Sequence, residues 1–299
     1  MQPRAGTVEG NSLQLTAIFE TAEFDAFREG SGSITNPGGN RATISAATFT
    51  ANYGLTSRLT LIGIVPIVRK NQFTNRFGTR IADGLGDVAL AASYEVVEPL
   101  VLGQPSIFVG GGLKFPTGAI EEPGGDVQRL PEAFQAGSGA YDLLLTGGYF
   151  QPLGRFRIGG ATFVRIPLGS NEREYKFGNE YEVHAGAHYA LSFLGKVWEM
   201  GAMIDVLYAE HDEDPAGVLP ARLRDGTTVL NTGGTFVNLT PTLAFRPLSN
   251  LYLASRFSIP VVENWNGHRE TSVGQVAPDL TITLSATVGF SLGGEDVTF

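Results

Sequence analysis

The stretch "VAPDLTITLSATVGFSL", residues 276–292, decides the fold. From Leu280 onward every second residue is apolar: Leu280, Ile282, Leu284, Ala286, Val288, Phe290 and Leu292. Between them stand Thr281, Thr283, Ser285, Thr287, Gly289 and Ser291. Successive side chains on a strand point to opposite faces, so this is one extended segment with an apolar face and a small polar face. At about thirteen residues it reaches roughly 40 Å, whereas strands of ordinary globular proteins run about five or six residues.

The same alternation recurs. In "YEVHAGAHYALSF" (181–193), Tyr181, Val183, Ala185, Ala187, Tyr189, Leu191 and Phe193 share one face. Glu182, His184, Gly186 and His188 take the other. In "RFRIGGATFVRIPL" (155–168), Phe156, Ile158, Val164, Ile166 and Leu168 oppose Arg155, Arg157 and Arg165. About twelve such segments follow one another, near 11–28, 40–54, 58–72, 84–98, 104–117, 138–152, 155–169, 178–193, 196–210, 233–247, 250–264 and 276–291. Short connections such as "GLTS", "QPLGR", "FLGK" and "RPLSN" alternate with long ones near 29–39, 73–83, 118–137, 170–177, 211–232 and 265–275. An even number of long strands, a wet face backed by an apolar one, and alternating loop lengths describe a transmembrane antiparallel up-and-down β-barrel. The expected fold is therefore all-β, one barrel domain over 1–299, with short periplasmic turns, long extracellular loops and both termini in the periplasm.

Composition agrees. Gly is abundant (39 residues), charged residues make up 17%, Cys is absent, and the formal net charge is −9, which disfavours a nucleic-acid partner. No run of about eighteen apolar residues is present, so no transmembrane helix is expected. The start, "QPRAGTVEG", lacks the charged and apolar regions of an export signal. On the barrel reading that signal is expected to have been removed, and the expected location is the bacterial outer membrane. Tyr53, Tyr94, Tyr149, Phe150, Phe156, Phe193, Trp198, Phe245 and Tyr252 lie near the short turns, as an interfacial girdle would.

Three motifs in order, "DGLGDVALAASYEV" (83–96), "GGLKFPTG" (111–118) and "GSGAYDLLLTGGYF" (137–150), resemble the outer-membrane transporter family named for the meta-pathway of phenol degradation. "VPIV" around Pro66 fits it too. The resemblance runs from about the second strand to the C-terminus. It implies a bacterial outer-membrane channel of a kind often associated with uptake of aromatic or hydrophobic compounds, and it carries no catalytic residues. One departure stands out: Phe299 is terminal, but "GGED" separates it from the alternating segment that ends at Leu292.

Alternation assigns Lys114, Asp142, Arg157, Arg165, Glu180, Glu182, His184, His188, Glu199, Asp205, Arg246 and Arg256 to the lumen as channel-lining side chains. Both signs are present, so they either pair across strands and fill the barrel or form a ladder that steers polar solutes. His184 and His188 are four residues apart, about 13 Å on a strand, too far to share a metal. No cofactor, metal or catalytic group is expected. "GLGD" (84–87) and "GGG" (110–112) open no helix, so they read as strand curvature rather than a phosphate cradle. Loop 118–137 has room for a short helix near 127–134, and it and loop 211–232 are long enough to fold into the mouth.

Proline has no N–H for a ladder. Pro66, Pro116, Pro167 and Pro260 come late in the third, fifth, seventh and eleventh segments, toward the outer rim. They either terminate strands or weaken the rim enough to admit an apolar molecule sideways; Pro116 and Pro167 mark the expected place. Three functions remain open: a passive channel for small hydrophobic or aromatic solutes, a structural barrel assisting other envelope proteins, and a lipid hydrolase needing a Ser/His pair. The expected partners are outer-membrane lipid, a small-molecule solute, and a second copy or another envelope protein.

Overall fold

The computed structural model describes residues 6–99, 103–121, 129–193, 196–266 and 275–292. Twelve staves close into a barrel: β1 Ser12–Glu29, β2 Arg41–Gly54, β3 Leu59–Thr74, β4 in two pieces (Gly78–Leu85 and Ala89–Val97), β5 Ser106–Lys114, β6 Asp142–Leu153, β7 Phe156–Pro167, β8 Glu180–Phe193, β9 Lys196–Ala209, β10 Gly234–Leu248, β11 Leu251–Trp265 and β12 Gln275–Ser291. Each pairs antiparallel with its sequence neighbour, and β1 closes on β12 from Ser12↔Ser291 to Arg28↔Gln275. Closure gives each stave a partner on both sides, the β11–β12 ladder covering only Leu251↔Val288 to Ser258↔Thr281, and such closure is what lets strands span a hydrocarbon layer.

Alternation places the side chains. Leu15, Phe19, Phe49, Leu61, Val65, Ile67, Val183, Ile204, Leu243, Leu253 and Leu284 are all exposed on the outer wall. In water so many exposed large apolar side chains would cost heavily. Against lipid tails they are matched. Trp198 stacks on Phe245 with ring centroids 4.2 Å apart, and Phe156 meets Tyr189 at 4.8 Å, both on the outer wall near the short turns. Tyr252 does not belong to that girdle: it lies on the inner face, with the Arg246 guanidinium 5.7 Å from its ring centroid. Phe150, opposite Gly159, is also on the inner face. The side chain of Phe193 lies outside the described residues.

Two loop expectations are corrected. Residues 73–83 are not a loop: β3 and the upper piece of β4 continue past the rim and pair from Ile67↔Leu85 to Thr74↔Gly78. "NQFTNRFGTRI" has no sustained apolar alternation because this hairpin stands clear of the apolar wall, and Gly78 takes the positive φ (68°) its tight turn needs. The short helix expected near 127–134 is a single 3-10 turn, Glu132–Phe134, within the described part of that loop. Phe299 and His268 lie outside the described residues.

Candidate channel lumen

The inner wall is two-sided. On β5 to β11 charged side chains stand among the inward positions, beside apolar ones such as Phe108, Leu144, Phe163 and Leu207. Asp142 accepts from Lys114 at 2.8 Å and from Arg165 at 3.2 Å, and Arg165 also pairs with Glu180. Nearer the periplasm, Arg157 and Arg246 converge on Glu199, the latter at 3.1 Å. Between these groups His184 lies 2.8 Å from Asp205 and 3.1 Å from Glu182. Thr240 donates to Asp205, and His188 meets the Thr242 hydroxyl at 3.2 Å. The inward side chains read from the sequence are thus brought together, mostly as cross-strand ion pairs. Arg256, opposite Thr242 on the inner face, is exposed and has no ion pair among the described residues.

On β1 to β3 the inward rows are Gln14–Asn52–Ile62, Thr16–Thr50–Ile64, Ile18–Thr48–Pro66, Glu20–Ala46–Val68 and Ala22–Ile44–Lys70. Isoleucine, valine, alanine and threonine dominate. The charged ladder therefore faces a wall that is largely uncharged: apolar side chains alternate with threonines and amides, and only Glu20 and Lys70 carry charge in these rows. Inward isoleucines break strict alternation, and Ile62 and Ile64 stand in the near-continuous apolar run "LTLIGIVPIV". Such a run is the available signal for a wall apolar on both faces.

Both ends are narrowed by chain. Toward the outside, residues 129–138 lie across the mouth, with Leu130, Gln135 and Ala136 buried. Asp87 holds this segment: its carboxylate accepts from Ser138 N and Oγ at 2.8 and 2.7 Å, from Gly118 N at 3.0 Å and from Lys114 at 2.9 Å. Gly118 and Gly137 pack backbone to backbone, where a Cβ on either would come within 2.6 Å of the other. Lys70, reaching from β3, donates to Ala133 O at 3.0 Å. Beneath lies a cavity of about 390 Å³ lined by Lys70, Asp87, Arg165, Glu180, Glu210 and Asp212 among others. Loops 168–179 and 211–232 pack beside it, where Tyr175 donates to Asp212 at 2.6 Å and burial raises the Asp212 carboxyl above its ordinary value.

At the periplasmic end residues 6–11 turn into the barrel. Val8 N donates to Thr60 Oγ1 at 2.8 Å, and Thr7 Oγ1 donates to Glu95 at 3.1 Å. Glu95 is fully buried and also accepts from Ser106 at 2.6 Å. The segment crosses Gly54, where a Cβ would stand 1.8 Å from Glu9 O. Lys70, Asp87, Glu95 and Thr7 were missed in the sequence, because only the fold shows that two distant segments enter the lumen.

The four prolines divide. Pro116 lies just past the end of β5 and Pro167 ends β7, so both are strand terminators. Below them the wall is laddered from Lys114↔Asp142 and from Asp142↔Pro167 downward, so any side opening there is confined to the rim above these pairs. Pro66 sits inside β3, opposite the break between the two pieces of β4, where Gly86 N donates to Pro66 O at 2.8 Å. Pro260 sits inside β11 beside a register shift.

The closed barrel of twelve antiparallel strands matches solved structures. An outer-membrane channel from Pseudomonas putida F1 superimposes with a TM-score of 0.70 at 14% identity, over 97% of this chain and 100% of that one. The chain has the fold of a bacterial outer-membrane barrel. The β domain of the Bordetella autotransporter BrkA matches more loosely, with a TM-score of 0.54 at 10% identity, over 94% of this chain and 100% of that one. No family model matches the sequence, and no curated protein sequence matches it.

Proposed function

We propose that this chain is an outer-membrane channel for passive uptake of small hydrophobic or aromatic solutes. The observation that carries the reading is the uneven lumen: a largely uncharged wall on β1 to β3, rich in Ile, Val and Ala among threonines, opposite a charge-paired ladder on β5 to β11. An aromatic molecule with one polar group finds a surface for each part of itself, whereas a fully charged lumen would favour ions and sugars. The likeness to a solved outer-membrane channel supports the barrel architecture this reading needs. The ladder side chains named above are the proposed channel lining.

A structural barrel would conduct nothing, and a lipid hydrolase would turn over phospholipid. Against the latter, both strand histidines face the lumen and engage Asp205, Glu182 and Thr242, away from the lipid face where such a substrate lies. The deciding experiment reconstitutes the protein in planar bilayers and in liposomes. Measurable conductance together with faster entry of a phenol-sized aromatic than of a sugar of similar mass supports the channel. Silence in both assays sinks it.

A further inference from the structure

Four outward rows cross β1 to β4 at the height where the β3–β4 hairpin leaves the barrel. The lowest is Phe19–Ala47–Ile67–Leu85, and the next is Thr21–Ser45–Arg69–Asp83. Above them come Glu23–Thr43–Asn71–Ile81 and then Arg41–Phe73–Thr79. Phe19, Ile67 and Leu85 are large and exposed. Ser45, Ala47 and Gly84 are small, so the wall is scooped between the larger side chains. The groove holds about 460 Å³ and is lined by Phe19, Ser45, Ala47, Ile67, Arg69 and Asp83 among others. That lies within the roughly 300–1,000 Å³ of ordinary ligand sites.

Charge is layered above the groove. Arg69 is exposed at its upper end, with Asp83 beside it in the ladder, and Arg41 is exposed two rows higher. Neither arginine makes an ion pair among the described residues. The Arg41 guanidinium lies 4.1 Å from the centroid of the Phe73 ring, and at the hairpin tip Arg76 lies 4.9 Å from the centroid of exposed Phe77. Three arginines thus share this face with two carboxylates, Glu23 and Asp83, in a chain whose formal net charge is −9. The hydrogen-bonded carboxyls of Asp25 and Asp279 border it on the β1–β12 side. Guanidinium forks match phosphate oxygens. Exposed rings such as Phe77 pack on flat, partly apolar partners, sugar rings among them. From the bilayer outward the surface therefore offers an apolar groove, then guanidinium and carboxylate groups, then aromatic rings.

We propose that this face holds one molecule of the phosphorylated glycolipid that builds the outer leaflet of a Gram-negative outer membrane. An acyl chain fills the groove, a sugar phosphate meets Arg69 and Arg41, and sugar hydroxyls and amides donate to Asp83 and Glu23. The layers of the surface follow the order of that lipid along the membrane normal, and a phospholipid lacks the sugar that the upper rows would meet. A barrel that conducts nothing would hold the lipid equally well, so the site stands apart from the channel reading. The full chain, refolded in detergent, is titrated with lipid A carrying both phosphates, with dephosphorylated lipid A and with phosphatidylethanolamine, and binding is read by native mass spectrometry. One lipid A is expected to bind about tenfold more tightly than either of the others, the worth of a charge-assisted hydrogen bond. Arg41→Gln with Arg69→Gln, both at exposed positions, should abolish that preference with the circular dichroism unchanged. Ala47→Trp, which fills the groove, should weaken lipid A by a similar factor, and Arg58→Gln, beside the short β2–β3 turn, should change nothing. Equal binding of the three lipids, or a preference that survives loss of both arginines, overturns the site. So does an effect of the arginine changes without one of Ala47→Trp, which would mark a site for free phosphate. An equal effect of Arg58→Gln would mark unspecific attraction and overturns it as well.

Discussion

Asp142 stands opposite Lys114 in the β5–β6 ladder and accepts its ammonium at 2.8 Å, with the aspartate fully buried. The same carboxylate also takes Arg165. Removing it takes away the carboxylate between two adjacent, largely buried cations, leaving Lys114 only Asp87 and Arg165 only Glu180 as carboxylate partners. Asp142→Ala is therefore expected to destabilise the barrel by about 3 kcal/mol, read from urea unfolding in lipid vesicles. A cost under about 1 kcal/mol, the worth of an exposed pair, would show that water reaches the pair freely.

The register of β12 makes a paired prediction. Leu284 is 48% exposed on the outer wall, whereas Thr283 faces the lumen and donates to Glu20 at 3.1 Å. Leu284→Arg is expected to cost about 2–4 kcal/mol near the bilayer midplane. Thr283→Arg gains Glu20 as a neighbour and should cost far less. Equal costs in the same titration would mean the strand faces are reversed.

The N-terminal segment narrows the periplasmic end through Thr7, Val8 and Glu95. Deleting residues 1–9 removes both contacts and uncovers Glu95. Single-channel conductance in planar bilayers is expected to rise at least about twofold, on the ground that the segment occupies lumen otherwise filled by water. No change would mean that the conducting path already bypasses it.

Arg256 is the inner-wall guanidinium of the ladder that is exposed and without an ion pair among the described residues. An exposed cation without a contact ion pair in a narrow lumen attracts anions. Arg256→Glu should shift the reversal potential in a salt gradient toward cation preference. Arg157→Glu, by contrast, places a second carboxylate beside Glu199 and should mainly destabilise. A reversal potential untouched by Arg256→Glu would place the ion path away from β11.

Membrane sidedness follows from the loops. Val218, 74% exposed in loop 211–232, is expected on the cell surface, and Arg155, in the short β6–β7 turn, in the periplasm. Val218→Cys should react with an impermeant thiol reagent on intact cells, and Arg155→Cys only after the outer membrane is opened. The opposite pattern would invert the barrel.

The sequence alone determined the barrel. Leu280 to Leu292 and Tyr181 to Phe193 alternate because each residue answers locally to lipid on one side and water on the other, a period readable without knowing the neighbours. Strand ends fell within a few residues for the same reason, and the inward faces of Arg165, Glu199 and Asp205 followed. The tertiary structure decided what parity cannot carry. Residues 73–83 become strand only because β3 and β4 hold each other beyond the rim. Glu95 is buried only because Thr7, distant in sequence, is folded back onto it. The four prolines look alike in sequence, yet Pro116 and Pro167 end strands whereas Pro66 and Pro260 sit within them. That distinction rests on whether the neighbouring strand continues alongside, which depends on hydrogen bonds between chain segments that local alternation does not encode.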